Sequence, residues 1–294
     1  MSEPNQNRTR KIVIRSGTSN DLTVCIPIYY EAFSRIDAQH KFPAEIPNEE
    51  WGKNILDYLF SSGLHFMVAE MDGLIVGGNF IDERSVIAGV GPIFVSPDVQ
   101  HLGIGRGLMQ AVINRPRDWK LDGIRLLQAS FNLQSLSLYA KLGFIVREPI
   151  AVMAGVPLRG RTAPGCTVRC AETADLAVAN ALYYKMHGFD RSLDLQAAIG
   201  RSDALVVERE GKLTGYASGF GYFAHAVGES NLDIQALLCA ATRIDGIGIF
   251  IPSRNDELFR WCLESGMRVV LPYTLMTMGS YTSPKGAYIP SVLF

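Results

Sequence analysis

Residues Val90 to Met109 read VGPIFVSPDVQHLGIGRGLM, and the reading of this stretch decides the fold. Ile93, Phe94 and Val95 form an apolar, strand-like run, and Pro97 and Asp98 then turn the chain into a glycine-rich segment. Beyond it, Leu108, Met109, Val112 and Ile113 fall on one face of a helix. Glycines at 103, 105 and 107 let a ligand approach the backbone closely, and the first N–H groups of the new helix have no partner inside it. A strand, a glycine turn and a helix start in this order suit an anion the size of a diphosphate.

Spacing excludes two common nucleotide motifs. A P-loop places Lys-Ser or Lys-Thr after its glycines, and a dinucleotide-binding oxidoreductase has Gly-x-Gly-x-x-Gly, whereas this chain has Gly103-x-Gly105-x-Gly107. What remains is Gln100-x-x-Gly103-x-Gly105, preceded by Val95-x-Pro97. This resembles the pyrophosphate-binding motif of the GCN5-related N-acetyltransferase (GNAT) superfamily. A second pattern lies on the next strand-helix unit, where that superfamily has it: Asn132-x-x-Ser135-x-x-Leu138-Tyr139-x-Lys141-x-Gly143-Phe144. Taken alone, it also describes the core face of a capped helix ended by Gly143.

Around these motifs the chain punctuates itself. Lys11 to Arg15 alternates like a first strand, and Thr18 and Asp21 have the spacing of a capping box before a helix running to Phe33. A polar connection is expected from Ser34 to Asn48, and a short helix over Trp51 to Leu59. A hairpin follows, FMVAE (66–70) turning at Met71-Asp72-Gly73 into LIVGGNFID (74–82). IRLLQAS (124–130) reads as a buried strand.

After a Gly-, Pro- and Ala-rich stretch from Met153 to Gly165, the pattern begins again. Arg169, Asp175 and Tyr184 follow Arg15, Asp21 and Tyr30 at a shift of 154; Gly211 and Gly215 follow Gly73 and Gly77 at 138; Asn255, Gly266 and Pro272 follow Asn132, Gly143 and Pro149 at 123. A tandem duplication accounts for this, and the falling shift shows that the second copy shortened its cofactor segment. Arg243-x-x-Gly246-x-Gly248 fits the pyrophosphate motif as a string, but its register matches the turn at Asp122-Gly123 and it enters a strand, IGIFIP. Cys262 stands where the first copy has Tyr139.

The expected fold class is α/β (α+β): two tandem GNAT-like domains, each a mixed central β-sheet flanked by helices. The expected division is a disordered tail over 1–10, a catalytic domain over 11–155, a linker over 156–166, a degenerate domain over 167–280 and an extended C-terminal tail over 281–294. The order resembles bacterial tandem acetyltransferases.

Composition sets outer limits. With 294 residues, 48% of them hydrophobic, the chain can bury a core in each of two domains. The 28 basic side chains against 29 acidic ones give no bulk charge to recruit nucleic acid or a membrane surface. The polar N-terminus lacks a signal-peptide core and no apolar run reaches spanning length, so a cytoplasmic protein is expected. Five cysteines with no Cys-x-x-Cys pair, and five histidines without ligand spacing, predict neither a disulfide framework nor a metal. A homodimer is compatible with all of this.

The resemblance implies acetyl-CoA as co-substrate and acetyl transfer to a primary amine, with a small-molecule acceptor expected. It further implies that backbone groups of Ile93, Phe94 and Val95 hold the donor carbonyl, Val95 serving as the oxyanion contact. By the same resemblance Gln100, His101, Leu102, Gly103, Ile104, Gly105 and Arg106 cradle the diphosphate, and Asn132 and Ser135 complete the cofactor contacts. Tyr139 occupies the position of the general acid. A phenol near pKa 10 protonating a thiolate near 8.5 works uphill by about 2 kcal/mol, so a hydrogen bond to the thiolate is an equal reading. Some relatives carry a basic glutamate five residues before the motif asparagine, where this chain has Leu127. Glu31, Asp82 and Glu83, with His40, border the expected acceptor region and are the candidate bases, and a water relay to solvent is an equal reading. The alternative function is a non-catalytic acyl-CoA-binding or sensing protein.

Overall fold

The computed structural model describes residues 11–115, 120–155 and 163–294. The tail expected over 1–10, and residues 156–162 of the expected linker, lie outside the described residues. The chain is α/β and has two compact units: Met1–Gln39, Ile46–Ile81 and Pro92–Arg117 form one, and His40–Glu45, Asp82–Gly91 and Asp118–Phe294 the other.

The first unit holds β1 (Ile12–Ser16), α1 (Ser19–His40, through Gln39), α2 (Glu49–Ser61), β2 (His65–Met71), β3 (Leu74–Asp82), the second half of β4 (Ile87–Val95) and α3 (Ile104–Ile113). The strand order is β1-β2-β3-β4. The β2–β3 hairpin turns at Asp72 and Gly73, both at positive φ (52° and 83°), as a two-residue hairpin turn of this kind requires. Thr18 starts α1 by donating its N–H and hydroxyl to the Asp21 carboxylate at 2.7 and 2.8 Å. Leu22, Cys25 and Tyr29 form the buried stripe of that helix. It continues through Pro27 to His40, because no glycine or proline interrupts 34–40, so the connection expected over Ser34–Asn48 contracts to 41–48. Ile104, Leu108, Met109 and Val112 are the buried face of α3, which packs on β1 and β2.

In the second unit the first half of β4 pairs in parallel with β5 (Gly123–Ala129), over Ile87–Gly89. Two residues further on, Gly91 sits at φ 139° and is followed by Pro92, which has no N–H to donate. Next come α4 (Leu133–Lys141), β6 (Ile145–Ala154), β7 (Cys166–Cys170), α5 (Leu176–His187), α6 (Ser192–Gly200), β8 (Leu205–Arg209) and β9 (Lys212–Ala217). The chain continues with β10 (Ala226–Gly228), α7 (Asn231–Ala240), β11 (Ile249–Pro252), α8 (Asp256–Glu264), β12 (Arg268–Gly279) and β13 (Ala287–Ile289). One sheet runs β13-β10-β9-β8-β7; in the other, the order β5-β12-β6-β11 places a late strand between two early ones. Residues read from sequence as an extended tail thus form a strand: β13 pairs with β10, and Ala287, Tyr288 and Ile289 are buried.

The duplication is visible in side-chain chemistry. Arg15 grips Asp21 with both terminal nitrogens and also reaches Glu70; Arg169 repeats this with Asp175 and Glu208. Both networks tie the first strand of a repeat to its first helical turn and its second strand. Among the described residues no helix is long and apolar enough to cross a membrane, and no cluster of three or more His, Cys, Asp or Glu could hold a metal ion.

Candidate active site

Gly103, at φ 83°, occupies the position before α3, a conformation that costs a side chain about 1 kcal/mol or more. Among the described residues no side chain caps this helix start, whereas Asn48, Asn132 and Asn255 accept first-turn N–H groups at the starts of α2, α4 and α8. The first-turn N–H groups of α3 therefore point outward with the positive end of the helix dipole behind them. Gly107 has a different use: a Cβ there would stand 2.6 Å from Ile14 Cδ1, so it lets α3 lie close on β1. Gly77 does the same for β3, since a Cβ would come within 2.5 Å of the Phe94 carbonyl oxygen. Gln100 Nε2 donates to the Val95 carbonyl at 3.4 Å, tying the turn to the strand before it. Ile93, Phe94, Val95 and all of Gln100–Arg106 lie in the first unit; His101, Leu102, Gly103 and Arg106 are exposed there and Ile104 is buried.

The second motif forms one cluster in the second unit. Asn132 Oδ1 accepts the Ser135 N–H at 3.0 Å and starts α4. One turn on, Tyr139 is 5% exposed, and burial pushes its phenol up to about 12 against the opposing effect of a Ser135 hydrogen bond. A phenol this weak lies about 3.5 pH units above a thiol near 8.5, about 5 kcal/mol uphill as a proton donor. Hydrogen-bond donation is the role its chemistry suits.

The equivalent helix in the second repeat is closed. α7 follows β10 and precedes β11, as α3 follows β4 and precedes β5, but its N-terminus is held by its own Ser230 and Asp233 in a reciprocal capping box. The Asp233 carboxylate takes the Ser230 N–H at 2.8 Å and is itself held by Arg209 and Thr214. An ion-paired carboxylate thus occupies this helix start. The Arg243–Gly248 string leads directly into strand β11 and not into a helix, as its register predicts. Cys262, fully buried, has its thiol pushed up to about 12 by burial.

Residues 62–146, from before β2 into β6, match the acetyltransferase (GNAT) domain family. The structure superposes on a candidate acetyltransferase from Pyrococcus horikoshii with a TM-score of 0.74 at 20% identity, over 97% of this chain and 95% of that one. A GCN5-related N-acetyltransferase from Sphaerobacter thermophilus gives a TM-score of 0.60 at 16% identity, covering 93% and 97%. The chain has the GNAT acetyltransferase fold. Among curated proteins none matches the sequence.

On this GNAT fold the base candidates read from sequence are divided between the two units. Glu31 is exposed on α1, in the first unit. Asp82 is held by Arg84 through both carboxylate oxygens, and Arg84 also reaches Asp194 at 2.8 Å. Glu83 is half-buried between Asp82 and Arg84, and His40 is the exposed last residue of α1. Leu127 is buried and pairs with Leu275 of β12.

One group escaped sequence reading. Glu45, 6% exposed, accepts the Tyr273 hydroxyl at 2.5 Å and the Tyr222 hydroxyl at 3.0 Å on the same oxygen, and the two hydroxyls lie 3.1 Å apart. Burial, with the Glu45 charge beside it, holds the Tyr273 phenol well above its usual range. The available signal was Tyr273 itself, because a tyrosine inside the apolar run VVLPYTLM needs a partner for its hydroxyl. Nothing in FPAEIP marked Glu45 as that partner.

Proposed function

We propose that this chain is an acetyl-CoA-dependent N-acetyltransferase that acetylates a primary amine of a small molecule. The contrast between equivalent helix starts carries the reading: α3 begins uncapped after Gly103, with Arg106 and His101 exposed beside it, while α7 is closed by Ser230 and Asp233. The first suits a diphosphate, and the second is already occupied by its own cap. Backbone groups of Gln100–Arg106 would hold the diphosphate, Asn132 and Ser135 would add polar contacts, and the N–H groups of Ile93–Val95 would face the acyl carbonyl. Acetyl-CoA supplies the activated thioester when bound. Tyr139 keeps its proton and donates a hydrogen bond to the departing sulfur. The second repeat has a structural role, with no transfer of its own.

Calorimetric titration of acetyl-CoA into the wild type and a Gly103→Glu, Gly105→Glu double variant tests the reading, followed by a thiol-release screen over primary amines. Binding by the wild type alone, with thiol release for one amine class, is the expected result. Equal binding by both proteins would move the cofactor away from α3. Binding without thiol release for any amine would leave an acyl-CoA-binding protein instead.

A further inference from the structure

Glu45 is a buried carboxylate in aromatic surroundings. Tyr273 stands opposite Ala129 on β12, and Leu127, one side-chain step along β5 on the same face, pairs with Leu275. Phe250 lies 5.3 Å from the Tyr222 ring and 5.4 Å from the Tyr273 ring. Phe42, three residues before Glu45, stacks on Phe131 at 4.3 Å, and His40 lies 5.4 Å from Phe131. Phe42, Phe131 and Tyr222 are partly exposed and pack on the cluster that buries Tyr273 and Phe250. A carboxylate beneath an aromatic rim is the chemistry that recognises an organic ammonium: the rings attract the cation through their faces and the carboxylate pairs with it.

We infer that Glu45, positioned by Tyr222 and Tyr273, binds the ammonium of the acceptor, and that the acceptor is a primary amine carrying an apolar or aromatic flank. The inference rests on the acetyltransferase reading and names its acceptor site. It also places a carboxylate on the face of the sheet that Leu127 and Tyr273 share, reached from the segment between α1 and α2. The step balances as follows. At pH 7 only about one amine in 2,500 is neutral, so the ammonium first gives one proton to solvent. The freed nitrogen pair forms the C–N bond to the thioester carbonyl carbon, the C–S bond breaks, and the sulfur leaves with its bonding pair. The second nitrogen proton goes to that sulfur. The products are the acetamide, the free thiol and one proton.

The test uses the full chain, with phenethylamine and n-butylamine as probes. Calorimetric titration of each amine without acetyl-CoA should show binding to the wild type, tighter for phenethylamine. Glu45→Gln, which preserves shape and can still accept the two hydroxyls, should weaken amine binding by about tenfold or more through loss of the charge. Acetyl-CoA affinity should stay within about twofold of the wild type. In turnover the same variant should raise KM for the amine, and Tyr273→Phe should raise it by a smaller factor. Should Glu45→Gln not fold, Tyr222→Phe and Tyr273→Phe carry the binding test. No binding of either amine to the wild type, or unchanged amine binding in a folded Glu45→Gln, overturns the assignment of Glu45. Failure of acetyl-CoA to bind the wild type overturns the acetyltransferase reading instead, so the two failures are distinguishable.

Discussion

Ile150 and Tyr273 face each other across the β6–β12 ladder, and they are the same position of the two repeats, since 273 − 150 gives 123, the shift that also relates Asn255 to Asn132. A pseudo-two-fold axis passes between them. On one side Leu127, Gln128 and Ala129 of β5 pair with Leu275, Thr274 and Tyr273 of β12. On the other, Phe250, Ile251 and Pro252 of β11 pair with Val152, Ala151 and Ile150 of β6. Adding 123 to the β5 residues and subtracting it from their partners turns the first set into the second. Each repeat has lent its last strand to the sheet of the other.

The exchange predicts that neither half stands alone. A fragment ending at Gly155 lacks β12, so β5 and β6 lose the strand that joins them and expose unpaired backbone. Expressed alone, this fragment should show no cooperative thermal transition; co-expressed with residues 163–294 it should co-purify as a one-to-one complex that melts cooperatively. A monomeric fragment with its own sharp transition would show that β12 is dispensable.

Tyr139→Phe should lower turnover by about 10- to 100-fold, the value of one hydrogen bond to a charged sulfur, while acetyl-CoA affinity stays within about twofold. Because burial pushes the phenol up to about 12, the residue keeps its proton through pH 9, and the pH-rate profile of the variant should keep the wild-type shape below that pH. A lost alkaline limb in the variant would assign the titrating group to Tyr139 and contradict the donor role.

Much of this was legible in sequence because it is local. The hairpin at Asp72-Gly73, the helix start at Gly103 and the cap at Asn132 each follow from the conformation of one or two residues. The repeat was legible because Arg169 and Asp175 keep the chemistry and spacing of Arg15 and Asp21, whereas the matching partners Glu70 and Glu208 appeared only in the structure. Periodicity says which face of a strand is buried but not which strand lies beside it, so the placement of β12 next to β5 was hidden. The same limit concealed Glu45, whose partners lie 177 and 228 residues away in sequence. Ala287–Ile289 read as a tail because three residues are too few to show a period.

Asp21 predicts an acid limb. The Arg15 guanidinium, aided by the Thr18 donors, holds its carboxyl well below the usual carboxylate range. A lowered carboxyl stabilises the fold above its unfolded pKa near 4, and that contribution is lost as pH falls further. Arg15 is 36% exposed, which limits the ion pair to about 1 kcal/mol. Asp21→Asn should therefore cost about 1 to 2 kcal/mol at pH 7, including the weakened helix start. Urea unfolding at pH 7, 4 and 3 checks this: the variant should lose less stability on acidification than the wild type. Parallel losses in both proteins would place the acid sensitivity elsewhere.

Arg125 predicts a near-neutral charge deletion. The residue is 1% exposed, its Nε and Nη1 have no hydrogen-bond partner among the described residues, and its guanidinium lies 4.2 Å from the Phe294 ring, 4.7 Å from Phe189 and 5.5 Å from Tyr281. Desolvation lowers its pKa to about 10, so below that pH the fold carries a charging cost of about 3 kcal/mol that is relieved only as pH rises past 10. Three cation–π contacts at about 1 kcal/mol each offset most of it. Arg125→Met keeps the volume and removes both effects, so its unfolding free energy at pH 7 should lie within about 1 kcal/mol of the wild type. Arg125→Ala removes the packing as well and should cost about 3 to 5 kcal/mol. Urea denaturation of both variants decides the matter: a loss in Arg125→Met as large as that in Arg125→Ala would mean that the three rings hold the cation more strongly than its desolvation opposes it.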